Sequence, residues 1–236
     1  MFAIWKRELQ GYFFTPVGYV FMGVFLTLSS VIFYLTIMAQ RSSDLMTFIG
    51  MMGYLWMLLC PILTMRLLAE ERQKRTDQLL LTSPVSLPGM VLGKYLAAVT
   101  VMLMTVGMTL LFVLIVAIYG QVYPGEILTA YLGFILQGCA FIALDLFISG
   151  CAGNQVTAAV MAMGVNFLVW MLDLISSAIT LPLLNDALAF CSLYARTEPF
   201  LMGQLSFASI VFDLSYAAAF LALTIHMADS RRYRGA

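Results

Sequence analysis

Six apolar runs constrain this chain more than any other feature: Val17–Ala39, Thr47–Leu68, Val91–Tyr119, Ile127–Gly150, Gln155–Ile179 and Ser206–Met227. A helix needs about 20 apolar residues to cross the hydrocarbon core of a bilayer. In lipid an unpaired backbone amide or carbonyl finds no water, so only helices and closed barrels are viable spans. The runs are continuous rather than alternating, which selects helices. Composition agrees: 62% of the 236 residues are hydrophobic and 10% are charged, against about 25% charged in an ordinary soluble domain. The expected fold is therefore an all-α integral membrane protein of six transmembrane helices, a single transmembrane domain over residues 1–236 with no soluble domain beside it.

Charge sets the expected orientation. Six spans place both termini on one side, together with Lys6, Arg7, Arg66, Arg72, Lys74, Arg75, Lys94, Arg231, Arg232 and Arg234, whereas Arg41 and Arg196 fall on the other. Basic loops stay in the cytoplasm, so the reading is a multi-pass protein of the plasma or inner membrane with both termini cytoplasmic. A net charge of zero gives no support for nucleic acid as a partner. Cys60, Cys139, Cys151 and Cys191 are scattered in apolar surroundings and have no C-x-x-C spacing, so they read as small buried hydrophobes. The 17 methionines lack clustered ligand spacing, and no metal site is expected.

The segment before the first span, "MFAIWKRELQGYFFTP", has Phe2, Trp5, Leu9, Tyr12 and Phe13 at helical spacing, with Lys6, Arg7 and Gln10 opposite. No short apolar region with a small-residue cleavage site follows Lys6, Arg7 and Glu8, so it is not read as a cleaved signal. That pattern predicts a helix lying in the membrane interface, with Trp5 at headgroup depth. Pro16 disfavours helical geometry at Thr15 and makes an elbow into the first span. Between spans five and six, Thr180–Leu205 is too broken to cross the bilayer and too apolar for water. It is expected to fold back onto the outer leaflet, bending at Glu198-Pro199.

The stretch "EERQKRTDQLLLTSPVSLPG", Glu70–Gly89, gathers charges beside a leucine run. The second span is expected to extend past the bilayer to Lys74. Thr76 or Asp77 then caps a short helix holding Gln78, Leu79, Leu80, Leu81 and Thr82. Ser83-Pro84 ends it, and Ser86 with Pro88 begins the third span. Gly89 and Gly93 leave a smooth face for close helix approach. Exposed leucines rimmed by charge fit contact with another protein; leucines dipping into the membrane interface fit the residues equally well.

The block "EERQKRTDQLLLTSPVSLPGMVLGKYLAA" resembles the cytoplasmic signature of ABC-2 (type V) transporter permeases, closest to the six-span gliding-motility-type branch. "KRELQGYFFTPVGYVF" is similar to that family's elbow helix and first span, "GNQVTAAV" to the start of its fifth span, and "LYARTEPFLMGQLSFASIVFDLSYAAAFLAL" with "RRYR" to its last span and basic tail. The resemblance implies a coupling helix at Asp77–Thr82 that seats in an ATP-binding subunit. Leu79 and Leu80 would be its apolar plugs, Thr76, Thr82, Ser83 and Pro84 its boundaries, and Glu70, Glu71 and Arg72 its rim contacts. The turn around Gly150–Gln155 would be a second, shorter contact.

No G-x-x-x-x-G-K-[ST] phosphate loop occurs in the chain. The resemblance therefore implies a transport subunit with no catalytic residue and no cofactor of its own, with ATP and Mg on partner subunits. It also implies a second permease copy or a similar permease, and admits an accessory envelope protein. Direction leans towards export, and no residue names a substrate.

Asp145, Asp173 and Asp213 fall inside spans, where a mid-bilayer Asp costs about 2.5–3.5 kcal/mol on insertion scales. Asp145 reads as near the inner end of span four, and Asp173 and Asp213 as near the outer ends of spans five and six. Either they are interfacial acids bonded to polar neighbours, or Asp173 and Asp213 border an outer vestibule. Asn166, which is deeper, either bridges helices or lines a translocation path. Two other classes of protein fit parts of the pattern. An ion-coupled secondary transporter would need carboxylates near the midplane. A non-transporting scaffold of a motility or envelope complex shares the composition.

Overall fold

A computed structural model of the chain describes residues 1–73, 86–178 and 192–234, with the backbone alone at 172–178 and 231–234. The described residues form eight α-helices and no strand: α1 Phe2–Phe14, α2 Pro16–Phe33, α3 Leu45–Gln73, α4 Leu87–Tyr119, α5 Pro124–Cys151, α6 Gln155–Ala178, α7 Leu193–Leu201 and α8 Phe207–Arg234. A π-helical turn, Tyr34–Met38, prolongs α2. The expected coupling helix, with Thr76, Asp77, Leu79, Leu80, Thr82, Ser83 and Pro84, lies outside the described residues.

Five of these helices are long and apolar enough to cross a membrane: Pro16–Met38, Leu45–Gln73, Leu87–Tyr119, Pro124–Cys151 and Phe207–Ser230. Within α6 the stretch Gln155–Met171 is a shorter apolar helix. The chain is a multi-pass α-helical membrane protein. Each of the five overlaps an expected span, and α3 continues to Gln73 as anticipated. Ser86 precedes α4, with proline in its first turn.

At the centre stands α5, which packs against α3, α8, α7, α6 and α4. Lipid tails are as apolar as leucine, so packing quality rather than burial from water holds such helices together. Trp56 of α3 supplies the largest buried side chain, edge-on to Phe21 and Phe25 of α2 and Phe134 of α5 at 5.7–6.2 Å between ring centroids. Beyond it, Phe33, Phe48 and Phe112 form a second aromatic knot joining α2, α3 and α4.

The N-terminal helix is separate from α2, with Thr15 extended (φ −96°, ψ 152°) and Pro16 opening the next helix. Its packing follows most of the expected face: Tyr12 is buried and Trp5, Leu9 and Phe13 pack on the core, whereas Ile4 is buried in addition and Phe2 is exposed. Tyr12 donates its hydroxyl to the carbonyl of Leu63 (2.7 Å), and Trp5 donates Nε1 to Thr100 Oγ1 (3.0 Å). The helix therefore docks on α3 and α4 through polar groups that helical spacing alone does not reveal. Gly93 is where α4 meets α1, since a Cβ there would lie 3.1 Å from Ile4.

Part of the segment between spans five and six appears as α7. Ser192 caps it by accepting from the Ala195 amide (3.1 Å). The expected bend at Glu198-Pro199 is not where the chain turns. Pro199 stays within α7, and the turn comes at Met202 and Gly203, where Gly203 has φ +75°. Backbone amides of Met202, Gly203 and Gln204 close the helix end by donating to Glu198, Phe200 and Pro199 carbonyls, the left-handed glycine stop common at helix ends.

Candidate functional site

The described residues that flank the 74–85 segment form a dense polar cluster. Lys94 sits about two turns into α4, on a face with Met90, Val91, Ala97 and Ala98, all buried. Its own exposure is 1%. An ammonium has three donors to satisfy, and Nζ donates to Glu71 Oε1 (2.8 Å), Glu8 Oε1 (3.2 Å) and the Leu67 carbonyl (2.5 Å). Arg7 closes the cluster from the water side, donating Nη2 to Glu8 Oε1 (2.7 Å) and Glu71 Oε1 (3.1 Å). Two cations and two carboxylates thus join α1, the end of α3 and the start of α4.

The electrostatics follow from that geometry. Burial pushes the Glu8 carboxyl up, but the charges of Lys94 and Arg7, with the Arg7 hydrogen bond, outweigh it and hold Glu8 below its ordinary value. Hydrogen bonding to Glu8 holds the Arg7 guanidinium above its own. One turn earlier Arg66 pairs with Glu70 at the i,i+4 spacing (3.4 Å), lies over the Tyr12 ring (5.0 Å) and donates to Thr15 Oγ1 (3.1 Å).

A second clamp fixes the α5–α6 turn. Arg72 Nη1 donates to the carbonyls of Gly150 (3.2 Å), Cys151 (3.1 Å) and Ala152 (2.7 Å). These carbonyls belong to the end of α5 and the residue after it, where unpaired acceptors and the negative end of the helix dipole favour a cation. Ser149 Oγ accepts from the amides of Leu68 (3.3 Å) and Ala69 (3.2 Å) and donates to the Met65 carbonyl (3.1 Å). Ala69, Ala152 and Ala158 are buried against one another, so small side chains let α3 and the turn approach closely.

The expected rim residues thus all engage this chain: Glu71 with Lys94 and Arg7, Arg72 with the α5 end, and Glu70 with Arg66. Lys94 and Glu8 were absent from the sequence-based site. A Gly-Lys pair in an otherwise apolar helix face was the available signal for Lys94.

Of the expected path residues, Asn166 and Asp213 lie apart in their bonding. Asn166 is buried in α6 and donates Nδ2 to the Met57 carbonyl of α3 (3.2 Å) and to Asp145 Oδ2 of α5 (3.4 Å). Asp145 is fully buried, with Cys60 and Thr64 of α3 facing it, at a junction of three helices. Asp213 of α8 is buried too, with Arg196 of α7 as its facing charge and the Arg196 guanidinium over the Phe212 ring (5.1 Å). Asp173 is placed by backbone only, in α6.

The described residues thus form a bundle of membrane-length helices with one polar, clamped end. A family model described as ABC-2 family transporter protein matches residues 18–197, well over half of the chain. The protein belongs to the ABC-2 transporter family. No curated protein matches the sequence.

Proposed function

We propose that the chain is the transmembrane permease subunit of an ATP-binding-cassette transporter of the six-span gliding-motility-type branch. It moves its substrate, in the direction of export, with ATP and Mg held by separate nucleotide-binding subunits. In this reading α6 completes six spans, α1 is the interfacial elbow helix, both termini are cytoplasmic, and the protein sits in the plasma membrane. It pairs with a second copy or a similar permease, with room for an accessory envelope protein. The Asp77–Thr82 stretch is the coupling helix, with Leu79 and Leu80 seated in the ATP-binding subunit.

One observation supports this reading above the others: both ends of the 74–85 segment are tied into the bundle. On the α3 side Glu71 and Arg72 reach α1, α4 and the α5 end, and on the α4 side Lys94 returns to α1 and α3. A segment that receives work from a partner transmits it only if its ends are stiff, and these ends grip four helices. A motor can bias transport only by favouring one of two bundle conformations. The test is to replace Leu79 and Leu80 together by Asp and purify the complex in detergent. Loss of the ATP-binding subunit with the permease still folded supports the assignment; undiminished co-purification refutes it.

A further inference from the structure

At the end of the bundle opposite Lys94, a pocket of about 490 Å³ opens between the π-helical end of α2 and the end of α4. Its walls are of two kinds. Ile37, Ile115 and Val116 make an apolar side, and Arg41, Ser42 and Ser43 make a polar one. We propose that this pocket binds the phosphodiester headgroup of a membrane phospholipid. Arg41 pairs with the phosphate, Ser42 and Ser43 donate hydroxyl hydrogen bonds to it, and an acyl chain runs along the apolar wall.

Charge is the first support. Among the described residues Arg41 makes no ion pair or side-chain hydrogen bond. Nor is it needed to cap α2: the carbonyls of Tyr34, Ile37 and Met38 already accept from the amides of Ala39, Ser42 and Arg41. The nearest acid in sequence is committed elsewhere. Asp44 accepts from the Met46 and Thr47 amides (3.1 and 3.2 Å) and from Thr47 Oγ1 (2.6 Å), capping α3. Ser42 Oγ accepts from the Asp44 amide (3.1 Å), which leaves its hydrogen to donate. A guanidinium with adjacent hydroxyls is the donor set that fits a phosphate.

Depth is the second support. Tyr34, Tyr119 and Tyr123, at this end of α2, α4 and the start of α5, are 61%, 86% and 64% exposed. Exposed tyrosines gather where hydrocarbon gives way to headgroups, so the pocket lies at headgroup level with its apolar side towards the tails. The backbone is committed to this arrangement. Arg41 has φ 51°, the only positive value at a non-glycine among the described residues, a costly conformation held by its neighbours. Gly120 lets the turn close on α4, since a Cβ there would lie 2.6 Å from Ser43 Oγ.

The experiment is native mass spectrometry of the purified full chain with phosphatidylglycerol, with a diacylglycerol of the same tails, and with inorganic phosphate as competitor. Arg41→Asn removes the charge while suiting the left-handed backbone; Arg41→Lys restores charge; Ser42→Ala/Ser43→Ala removes the hydroxyls. The expected result is retained phosphatidylglycerol, about a tenfold loss of retention in Arg41→Asn from the missing charge-assisted bond, partial recovery in Arg41→Lys, a smaller loss in the serine variant, and no displacement by millimolar phosphate. Equal retention by Arg41→Asn, with the serine variant also unchanged, overturns the proposal. So does retention of diacylglycerol equal to that of the phospholipid, which would mark a greasy groove only. Displacement by inorganic phosphate would mark a free-anion site and overturns it as well.

Discussion

Asn166 donates its side-chain amide to the carbonyl of Met57 at 3.2 Å, and Met57 is the residue whose usual helical partner is Pro61. A proline has no N–H to give to the carbonyl four residues back. The vacancy left in α3 is filled from α6, and the same amide reaches Asp145 on α5. Three helices therefore meet at one broken hydrogen bond.

That junction predicts a non-additive pair. Asn166→Leu strands the Met57 carbonyl, at about 1–3 kcal/mol for a buried group left unsatisfied, and removes one of the partners of Asp145. Adding Pro61→Ala returns an amide to Met57, so the double variant should be more stable than Asn166→Leu alone. Unfolding in mixed micelles reads the difference. Additive losses in the two single variants would separate the two residues.

The Lys94 cluster predicts an asymmetry. Breaking a buried ion pair from one side costs about 3–5 kcal/mol because a charge is left behind. Glu8→Gln with Glu71→Gln strands Lys94 and should lower the thermal midpoint strongly. Lys94→Met should cost less, because Glu8 and Glu71 keep Arg7 and some water. Adding Lys94→Met to the double carboxylate variant should recover stability, which a thermal melt in detergent will show.

Acid should loosen α1. The Glu8 carboxyl is held below its ordinary value in the folded chain, so it binds its proton more readily when unfolded. Its stabilising contribution is complete above the unfolded carboxyl value and is lost as pH falls through the folded one. Asp44, held low mainly by Thr47, contributes with the same sign at the other end. Stability measured from neutral to acid pH should fall, and Glu8→Gln and Asp44→Asn should each flatten a separate part of that fall.

Gly133 sets how closely α7 can lie on α5. A Cβ there would meet Phe200 at 2.6 Å from its Cβ and 2.8 Å from its Cγ, too near for a ring fixed in packing. Gly133→Ala should cost about 1–3 kcal/mol through overpacking and expose the α7–α8 turn to protease. An unchanged digestion pattern would show that α7 tolerates the shift.

Five of the six expected spans were legible because a bilayer demands long apolar helices, and prolines at 16 and 88 mark the starts of α2 and α4; the bend before the last span was not, since Pro199 continues α7 instead of ending it. Lys94 was not. In sequence it counts as one more basic residue at a membrane boundary, and only the fold brings Glu8 and Glu71, 86 and 23 residues away, onto its ammonium. Asn166 was legible as a buried polar group but not as the partner of a proline-freed carbonyl 109 residues away. Tyr12 reads as one of several interfacial aromatics until its hydroxyl is seen on α3. Hydropathy reports the solvent a residue lives in; it does not report which polar groups find one another.

A permease driven by separate ATP-binding subunits requires residues 74–85 to face the cytoplasm and to touch such a subunit. Leu79→Cys, in a variant lacking the four native cysteines, can be labelled from either side of sealed membranes with an impermeant thiol reagent. The expected result is reaction from the cytoplasmic side only, blocked when the ATP-binding subunit is bound. Labelling from the external side, or cytoplasmic labelling indifferent to that subunit, would overturn the proposed coupling role.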